Sequence, residues 1–310
     1  MQTDSVLTVT VPGLELRDRL QDFADRVEFV EWDLSFDLPP EVAARVELVC
    51  VHHYATQAER WPRLRQLPRL RYVQLPSAGF DHALPFLPSG VTLLNGRGVH
   101  SAGTAELGLA LILASQRGLA DAIDAQREGR WHNPALSSLA DRRVLVVGAG
   151  SLADAVVARL RPFEVELTQV ARTARAGIRG IEDLATLLPH ADIVVLTVPL
   201  DASTSGLIGA PELALLPDGA LVVNIARGRV VDTAALLAEL ETGRLRAALD
   251  VTDPEPLPSD HPLWRAPNVL ITAHQGGNSD ATGPRWAGLV RAQLGRLLAG
   301  EPLENVVAVG

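Results

Sequence analysis

The stretch Arg142 to Ala153, RRVLVVGAGSLA, constrains the fold more than any other part of this chain. The apolar run Val144 to Val147 stops at Gly148, Ala149, Gly150, Ser151, Leu152 and Ala153, and helical spacing resumes near Asp154. The pattern is GxGxxA between a strand and a helix. Gly148 permits a tight turn, Gly150 lets the backbone approach a pyrophosphate, and Ala153 fills the packing position. The amino terminus of that helix offers unpaired N–H donors and a favourable dipole to a phosphate, with Ser151 and Leu152 of the loop at the same cofactor site. Alone, such a motif is also an ordinary strand–helix turn.

Its surroundings decide between the two readings. Leu167 to Ala171, Ile193 to Val198, Leu221 to Ile225, Leu245 to Val251 and Val269 to Thr272 are further short apolar runs separated by helical stretches. Strands alternating with helices predict a parallel sheet. Upstream, Val6 to Val11, Val46 to Val51 and Arg71 to Leu75 show the same α/β character. Between the two series, Ser101 to Leu119 is rich in Ala, Leu and Gly with Glu106 as its only acid, and reads as a mostly buried helix bridging two domains. Arg285 to Leu298 reads as a last helix, followed by a tail, GEPLENVVAVG, that returns to the first domain. The expected architecture is α/β, with two Rossmann-like domains, parallel sheets and an active site in the inter-domain cleft. Residues 1–100 plus 281–310 form a substrate-binding, flavodoxin-like domain, and residues 101–280 a dinucleotide-binding Rossmann domain.

Composition removes rival chemistries. All 28 basic residues are arginine, so no mechanism that needs a lysine base, a Schiff base or a Walker lysine is open to the chain. The net charge of -9 argues against a nucleic-acid partner. The single cysteine, Cys50, lies in an apolar run, which leaves no disulfide framework or cysteine-ligated zinc, and no metal is expected. The start MQTDSVLTVTVPG lacks a leader pattern and no apolar run is long enough to span a bilayer, so a cytoplasmic protein without a membrane partner is expected.

About twenty residues after the glycine motif, where NAD enzymes place an acid on the ribose 2′-hydroxyl, the sequence reads VARTAR. Arg172, Thr173 and Arg175 stand there instead. Guanidinium groups pair with phosphate in a fork, so NADP is the expected cofactor, with NAD the alternative. The bland reading is a solvated arginine loop.

Three later segments carry the chemistry: NIARGRVVD from Asn224, DVTDPEP from Asp250 and TAHQGG from Thr272. With these motifs the chain resembles the D-isomer-specific 2-hydroxyacid dehydrogenases, of the glyoxylate/hydroxypyruvate reductase kind, over nearly its whole length. The resemblance implies that Arg227 binds substrate, Glu255 is the carboxylate partner and His274 is the acid/base. Reducing a ketone leaves charge on oxygen, so a proton donor that titrates near neutrality is required, and histidine is one. A neighbouring carboxylate favours the imidazolium and orients its ring. An arginine can grip the substrate carboxylate and polarise the 2-oxo group. Singly, each residue has a dull explanation as a turn cap, a loop acid or a core histidine; all three after strand ends of one dinucleotide domain do not.

Other positions follow from the same resemblance. LPSAGFDH, Leu75 to His82, matches the substrate loop, with N–H groups near Ala78 and Gly79 on the substrate carboxylate. Thr104 lies in NGRGVHSAGTAE and matches a residue beside the nicotinamide; Asp250 matches the carboxamide's acceptor. Val198 and Pro199 match the adenosine-pocket wall, Thr204 a threonine near phosphate, and Ile225, Ala226 and Gly276 flank the cofactor within their motifs. In VHHYAT, Tyr54 or one of His52 and His53 is expected to line the substrate side-chain pocket, the bland reading being that they pack at a strand end. The partner expected is a small 2-oxo acid, and the assembly a homodimer. Two alternatives stand: a dinucleotide-sensing, corepressor-like binding protein with negligible turnover, and an NAD-dependent phosphoglycerate-type dehydrogenase.

Overall fold

The computed structural model describes residues 6–52 and 58–310, so Tyr54 and His53 lie outside the described residues. The chain divides into two compact units, unit 1 comprising Met1–His100 with Asp280–Gly310 and unit 2 comprising Ser101–Ser279. Among the described residues no helix is long and apolar enough to cross a membrane.

Unit 1 holds strands β1 (Leu7–Val11), β2 (Val27–Glu31), β3 (Val46–Cys50), β4 (Tyr72–Gln74) and β5 (Thr92–Leu94). Unit 2 holds β6 (Arg143–Val147), β7 (Glu166–Ala171), β8 (Arg179–Gly180), β9 (Ile193–Leu196), β10 (Leu221–Asn224), β11 (Arg246–Leu249) and β12 (Val269–Ile271), and the tail adds β13 (Val306–Val309) to unit 1.

The sheet of unit 2 runs β12-β11-β10-β9-β6-β7-β8 with every pair parallel. The order reverses between β6 and β9, which is the switch point where open α/β sheets place a ligand. Side chains of β6 show why its sequence is continuously apolar. Val144 and Val146 enter one core cluster with Ala153 and Ile225, whereas Leu145 and Val147 enter another with Leu196 and Val222. Both faces of the strand are buried, so no polar alternation survives.

Unit 1 runs β13-β5-β4-β3-β1-β2. Its five sequential strands are parallel in the flavodoxin-like order, but β13 pairs with β5 antiparallel, through Val306 opposite Leu94. This antiparallel edge adds to the expected parallel sheet: the tail arrives after the helix Thr282–Ala299 and Gly300 (φ 69), and runs back along β5.

Two helix expectations are also corrected. The Ser101–Leu119 run is not one helix: it breaks at Gly118, whose φ of 55° is left-handed, into helices Ser101–Gln116 and Leu119–Arg127. Both fall within unit 2. The helix after the glycine motif starts at Ser151, not near Asp154. Gly150 is its N-cap in extended conformation, and the N–H of Asp154 already bonds the Gly150 carbonyl at 3.0 Å.

Candidate active site

The glycine motif is built as its chemistry requires. Gly148 has a φ of 130°, and a Cβ there would lie 2.2 Å from the Thr197 hydroxyl, so only glycine fits between β6 and β9. Its N–H donates to Val170 O at 2.8 Å, and its carbonyl accepts from Gln169 Nε2 at 3.0 Å. A Cβ at Gly150 would meet no protein atom within 4 Å, which leaves a cradle beside the backbone that a side chain would fill. The first N–H groups of the helix Ser151–Leu160 open next to that cradle, and no helical carbonyl precedes them. Ala153 is fully buried in the third, packing position, Leu152 packs on the same core, and Ser151 accepts a hydrogen bond from the Ser101 hydroxyl at 3.1 Å. These residues fit a dinucleotide pyrophosphate.

At the end of β7, Arg172, Thr173 and Arg175 are all exposed. Arg172 pairs with Asp201 at 2.5 Å, and Arg175 donates to the carbonyl of Ala149 at 2.9 Å, beside the glycine loop. The pairing of Arg172 was not legible in the sequence, because Asp201 follows a different strand. Asp201 is held down at about 2, chiefly by hydrogen bonds from Ser203. Val198 and Pro199 lie in the irregular segment that leaves β9. Thr204, expected near phosphate, stands in the loop after β9. Its hydroxyl is buried, donates to Pro199 O at 2.6 Å and accepts from the N–H of Asp201 at 2.8 Å, so it shapes its own loop. The side chains of Ile225 and Ala226 are likewise buried in the two cores, which leaves only their backbone to face a cofactor.

Arg227 follows β10 in a turn held by a fully buried amide. Asn224 accepts from the N–H of Ala226 at 3.1 Å and donates to the carbonyl of Arg227 at 2.9 Å. Sequence reasoning gave Asn224 no role. It also missed Gly228, where a Cβ would lie 1.8 Å from the carbonyl oxygen of Thr252. That approach clamps the arginine turn against the loop that bears Glu255.

The loop Thr272 to Gly276 hangs from Asp250, a carboxylate only 2% exposed. Asp250 accepts from the Thr272 hydroxyl at 2.6 Å and from the N–H groups of Gln275 at 2.8 Å and Gly276 at 2.9 Å. Its backbone carbonyl accepts the N–H of His274 at 2.7 Å. These four bonds hold His274 at a φ of 51°, a left-handed conformation that costs a β-carbon residue roughly 1 kcal/mol. Gly276 completes the corner, since a Cβ there would press on Thr104 at 2.9 Å and on the Asp250 carboxylate at 3.0 Å. Thr104, Asp250 and Gly276 are thus gathered at one point.

Nδ1 of His274 lies 2.5 Å from Oε1 of Glu255, with both side chains about half exposed. Burial pushes the Glu255 carboxyl up, but the hydrogen bond from His274, its charge, the Thr252 backbone and the Arg227 charge outweigh burial and hold it below the usual carboxylate range. The carboxylate therefore stays ionised at neutral pH and fixes the imidazole through Nδ1, leaving Nε2 as the second proton site. Arg227, Glu255 and His274 come together from three separate loops.

In unit 1 the segment Pro76 to Gly79 is held by its carbonyls. Ser77 O accepts from the N–H of Gly96 at 2.7 Å, and Ala78 O accepts from Nδ2 of Asn95 at 2.7 Å. No hydrogen bond among the described residues takes the N–H of Ala78 or of Gly79.

A parallel sheet with a glycine cradle at its switch point, and a histidine–carboxylate pair beside an arginine, define a dinucleotide-dependent oxidoreductase. Residues 109–276, more than half of the chain, match the family model for the NAD binding domain of D-isomer specific 2-hydroxyacid dehydrogenases. The chain is 33% identical to a glyoxylate reductase of Thermofilum pendens over 76% of this chain and 74% of that protein. It is also 33% identical to a D-3-phosphoglycerate dehydrogenase of Methanocaldococcus jannaschii, but spans only 43% of that protein's length. A crystal structure of a D-isomer specific 2-hydroxyacid dehydrogenase from Xanthobacter autotrophicus Py2, in complex with NADPH and MES, superposes with a TM-score of 0.81 at 32% identity, covering 98% of each chain. The protein belongs to the D-isomer specific 2-hydroxyacid dehydrogenase family, and its cofactor is a nicotinamide dinucleotide.

Proposed function

We propose that the protein reduces a small 2-oxo acid to the D-2-hydroxy acid with NADPH, in the manner of a glyoxylate/hydroxypyruvate reductase. The observation that carries this reading is the 2.5 Å contact between His274 Nδ1 and Glu255, with the charge of Arg227 acting on the same carboxyl. Unit 2 is the dinucleotide-binding domain and unit 1 the substrate-binding domain. Gly148, Gly150, Ser151 and Leu152 hold the pyrophosphate; Thr104, Asp250 and Gly276 hold the nicotinamide end; Val198 and Pro199 wall the adenosine. When bound, the dinucleotide supplies the reducing hydride.

The chain's own residues do the rest. Ala78 and Gly79 bind the substrate carboxylate through N–H groups, and Arg227 orients the 2-oxo acid and polarises its carbonyl. His274 gives the Nε2 proton to the carbonyl oxygen as C2 is reduced, and Glu255 stabilises the imidazolium before that transfer. Run backwards, the same nitrogen takes the hydroxyl proton.

NADPH is preferred because Arg172, Thr173 and Arg175 offer two guanidinium groups and a hydroxyl at the end of β7, with Arg175 already anchored beside the glycine loop. The protein acts as a homodimer. Supporting this are exposed apolar side chains on unit 2, Leu119, Ile123, Leu136 and Trp131, the last 95% exposed.

The test is initial rates of NADPH and NADH oxidation with glyoxylate, hydroxypyruvate, pyruvate, phenylpyruvate and 2-oxobutyrate. Turnover with NADPH preferred, and a preference that falls in Arg175→Ala, supports the reading. Tight dinucleotide binding without turnover points to a sensor, and turnover preferring NADH makes Arg172 and Arg175 incidental.

A further inference from the structure

Three side-chain amides lie buried in unit 1, in a chain that ends on the loop assigned above to the substrate carboxylate. Gln293, on the helix Thr282–Ala299, and Gln74, on β4, are each 1% exposed; Asn95, just after β5, is 4% exposed. Gln293 Oε1 accepts the N–H of Glu304 at 3.1 Å, and its Nε2 donates to Glu304 O at 2.7 Å and to Gln74 Oε1 at 3.1 Å. Gln74 Nε2 then donates to the carbonyls of Leu75 at 2.9 Å and Asn95 at 3.1 Å. Asn95 in turn donates from Nδ2 to Ala78 O and accepts the N–H of Arg97 at its Oδ1.

The polarity of this chain is fixed from its far end. The N–H of Glu304 can be met only by an amide oxygen, which turns the Gln293 nitrogen towards Gln74 and so turns the Gln74 nitrogen towards carbonyls. Every buried amide is partnered, and reversing any one would set oxygen against oxygen in a dry interior.

The consequence lies in peptide geometry. In a trans peptide the C=O and the following N–H point in opposite directions. Asn95 holds the Ala78 carbonyl and Gly96 holds the Ser77 carbonyl, so the N–H groups of Gly79 and Ala78 both turn away from residues 95 and 96. Two adjacent N–H donors facing the same way make a seat for one carboxylate. Gly96 has no alternative, since a Cβ there would lie 2.0 Å from the carbonyl oxygen of Pro76.

We propose that Gln293, Gln74 and Asn95 are positioning residues that set the affinity for the 2-oxo acid carboxylate by fixing the two peptide planes of the Ser77–Gly79 loop. The inference rests on the reading that Ala78 and Gly79 bind substrate. It ties the substrate seat to the carboxyl-terminal segment through Glu304, so the tail acts on substrate binding without touching substrate.

The experiment is steady-state kinetics of Asn95→Asp, Gln293→Met and Ala78→Pro, with the NADPH Kd of each measured by fluorescence. Asn95→Asp keeps the shape but cannot donate to Ala78 O, and Gln293→Met keeps the length but breaks the relay. The expected result is a KM for glyoxylate raised about tenfold in Asn95→Asp and at least about threefold in Gln293→Met. NADPH Kd and kcat should stay within about twofold, because the cofactor residues lie in unit 2 and are untouched. Unchanged KM in both, or a raised KM accompanied by a comparable loss of kcat and of NADPH binding, overturns the proposal. Should Asn95→Asp fail to fold, Gln293→Met carries the same test. Ala78→Pro removes a donor itself: if it leaves KM alone, the reading of the loop fails, whereas a raised KM there with no effect in the relay variants leaves that reading standing and removes this inference.

Discussion

Substituting Gly228 by alanine asks how closely the catalytic groups depend on one backbone contact. A Cβ at Gly228 would lie 1.8 Å from the carbonyl oxygen of Thr252, 2.1 Å from its carbon and 2.7 Å from the nitrogen of Asp253. Real Cβ atoms essentially never approach within 3.0 Å, so the two loops must part by at least about 1.2 Å. The atoms in the way are backbone, so no side chain can rotate aside. Arg227 precedes the new methyl and Glu255 follows Thr252 by three residues, so the separation falls on the arginine–carboxylate–histidine arrangement itself. A misplacement of about 1 Å in such a site costs about a hundredfold in rate, equivalent to about 2.7 kcal/mol of transition-state stabilisation. Gly228→Ala should therefore lower kcat/KM for the best 2-oxo acid about a hundredfold. Gly150 and the helix Ser151–Leu160 lie elsewhere on the sheet, so the NADPH Kd should move by less than about threefold. The assay is nicotinamide oxidation together with a fluorescence titration of NADPH. A Gly228→Ala protein within about threefold of wild type in kcat/KM would refute the reasoning, because the loops would then not be held by this contact.

Gly288 is exposed in the helix Thr282–Ala299 and a Cβ there meets nothing within 4 Å, so Gly288→Ala should raise stability by about 0.5–1 kcal/mol in denaturant titration. Asp192 accepts from the Arg143 backbone at 2.8 Å and from its guanidinium at 2.7 Å, and the Arg143 hydrogen bond holds its carboxyl below the usual range against burial. With the folded pKa lowered, this stabilisation is present above the ordinary value of 3.8 and is lost as pH falls through the folded one; Asp192→Asn should cost about 1 kcal/mol or less at pH 7, discounted for solvent exposure, and nothing in strong acid. Burial pushes the Cys50 thiol up to about 12, so a disulfide-exchange reagent should leave the native protein unlabelled and titrate one thiol only after unfolding.

What was legible in the sequence was local. The GxGxxA loop declares itself because the strand, turn and helix it joins are contiguous, and β6 reads clearly because both its faces are buried. The start of the helix at Ser151 was set too late by three residues, since an extended Gly150 opens it with no polar cap to mark the place. Strands β2 and β5 were not read: VEFVE carries two acids, Glu28 and Glu31, in five residues and TLL is three residues long, and each is a strand because of its neighbours in the sheet. Arg227, Glu255 and His274 were found through their motifs, but the residues that bring them together were not. Asn224, Gly228 and the Asp250 hold on the His274 loop act through contacts that only the folded chain makes. The amide relay from Gln293 to Asn95 spans most of the sequence, and no spacing rule could pair those residues.

The most direct test of the account is His274→Ala, assayed for 2-oxo acid reduction beside a direct measurement of NADPH binding. This variant should lower kcat by at least about a hundredfold, the usual contribution of a general acid, with NADPH Kd changed by less than about threefold. A His274→Ala protein that keeps wild-type turnover would contradict it, because the proton would then come from a group other than the imidazole that Glu255 holds.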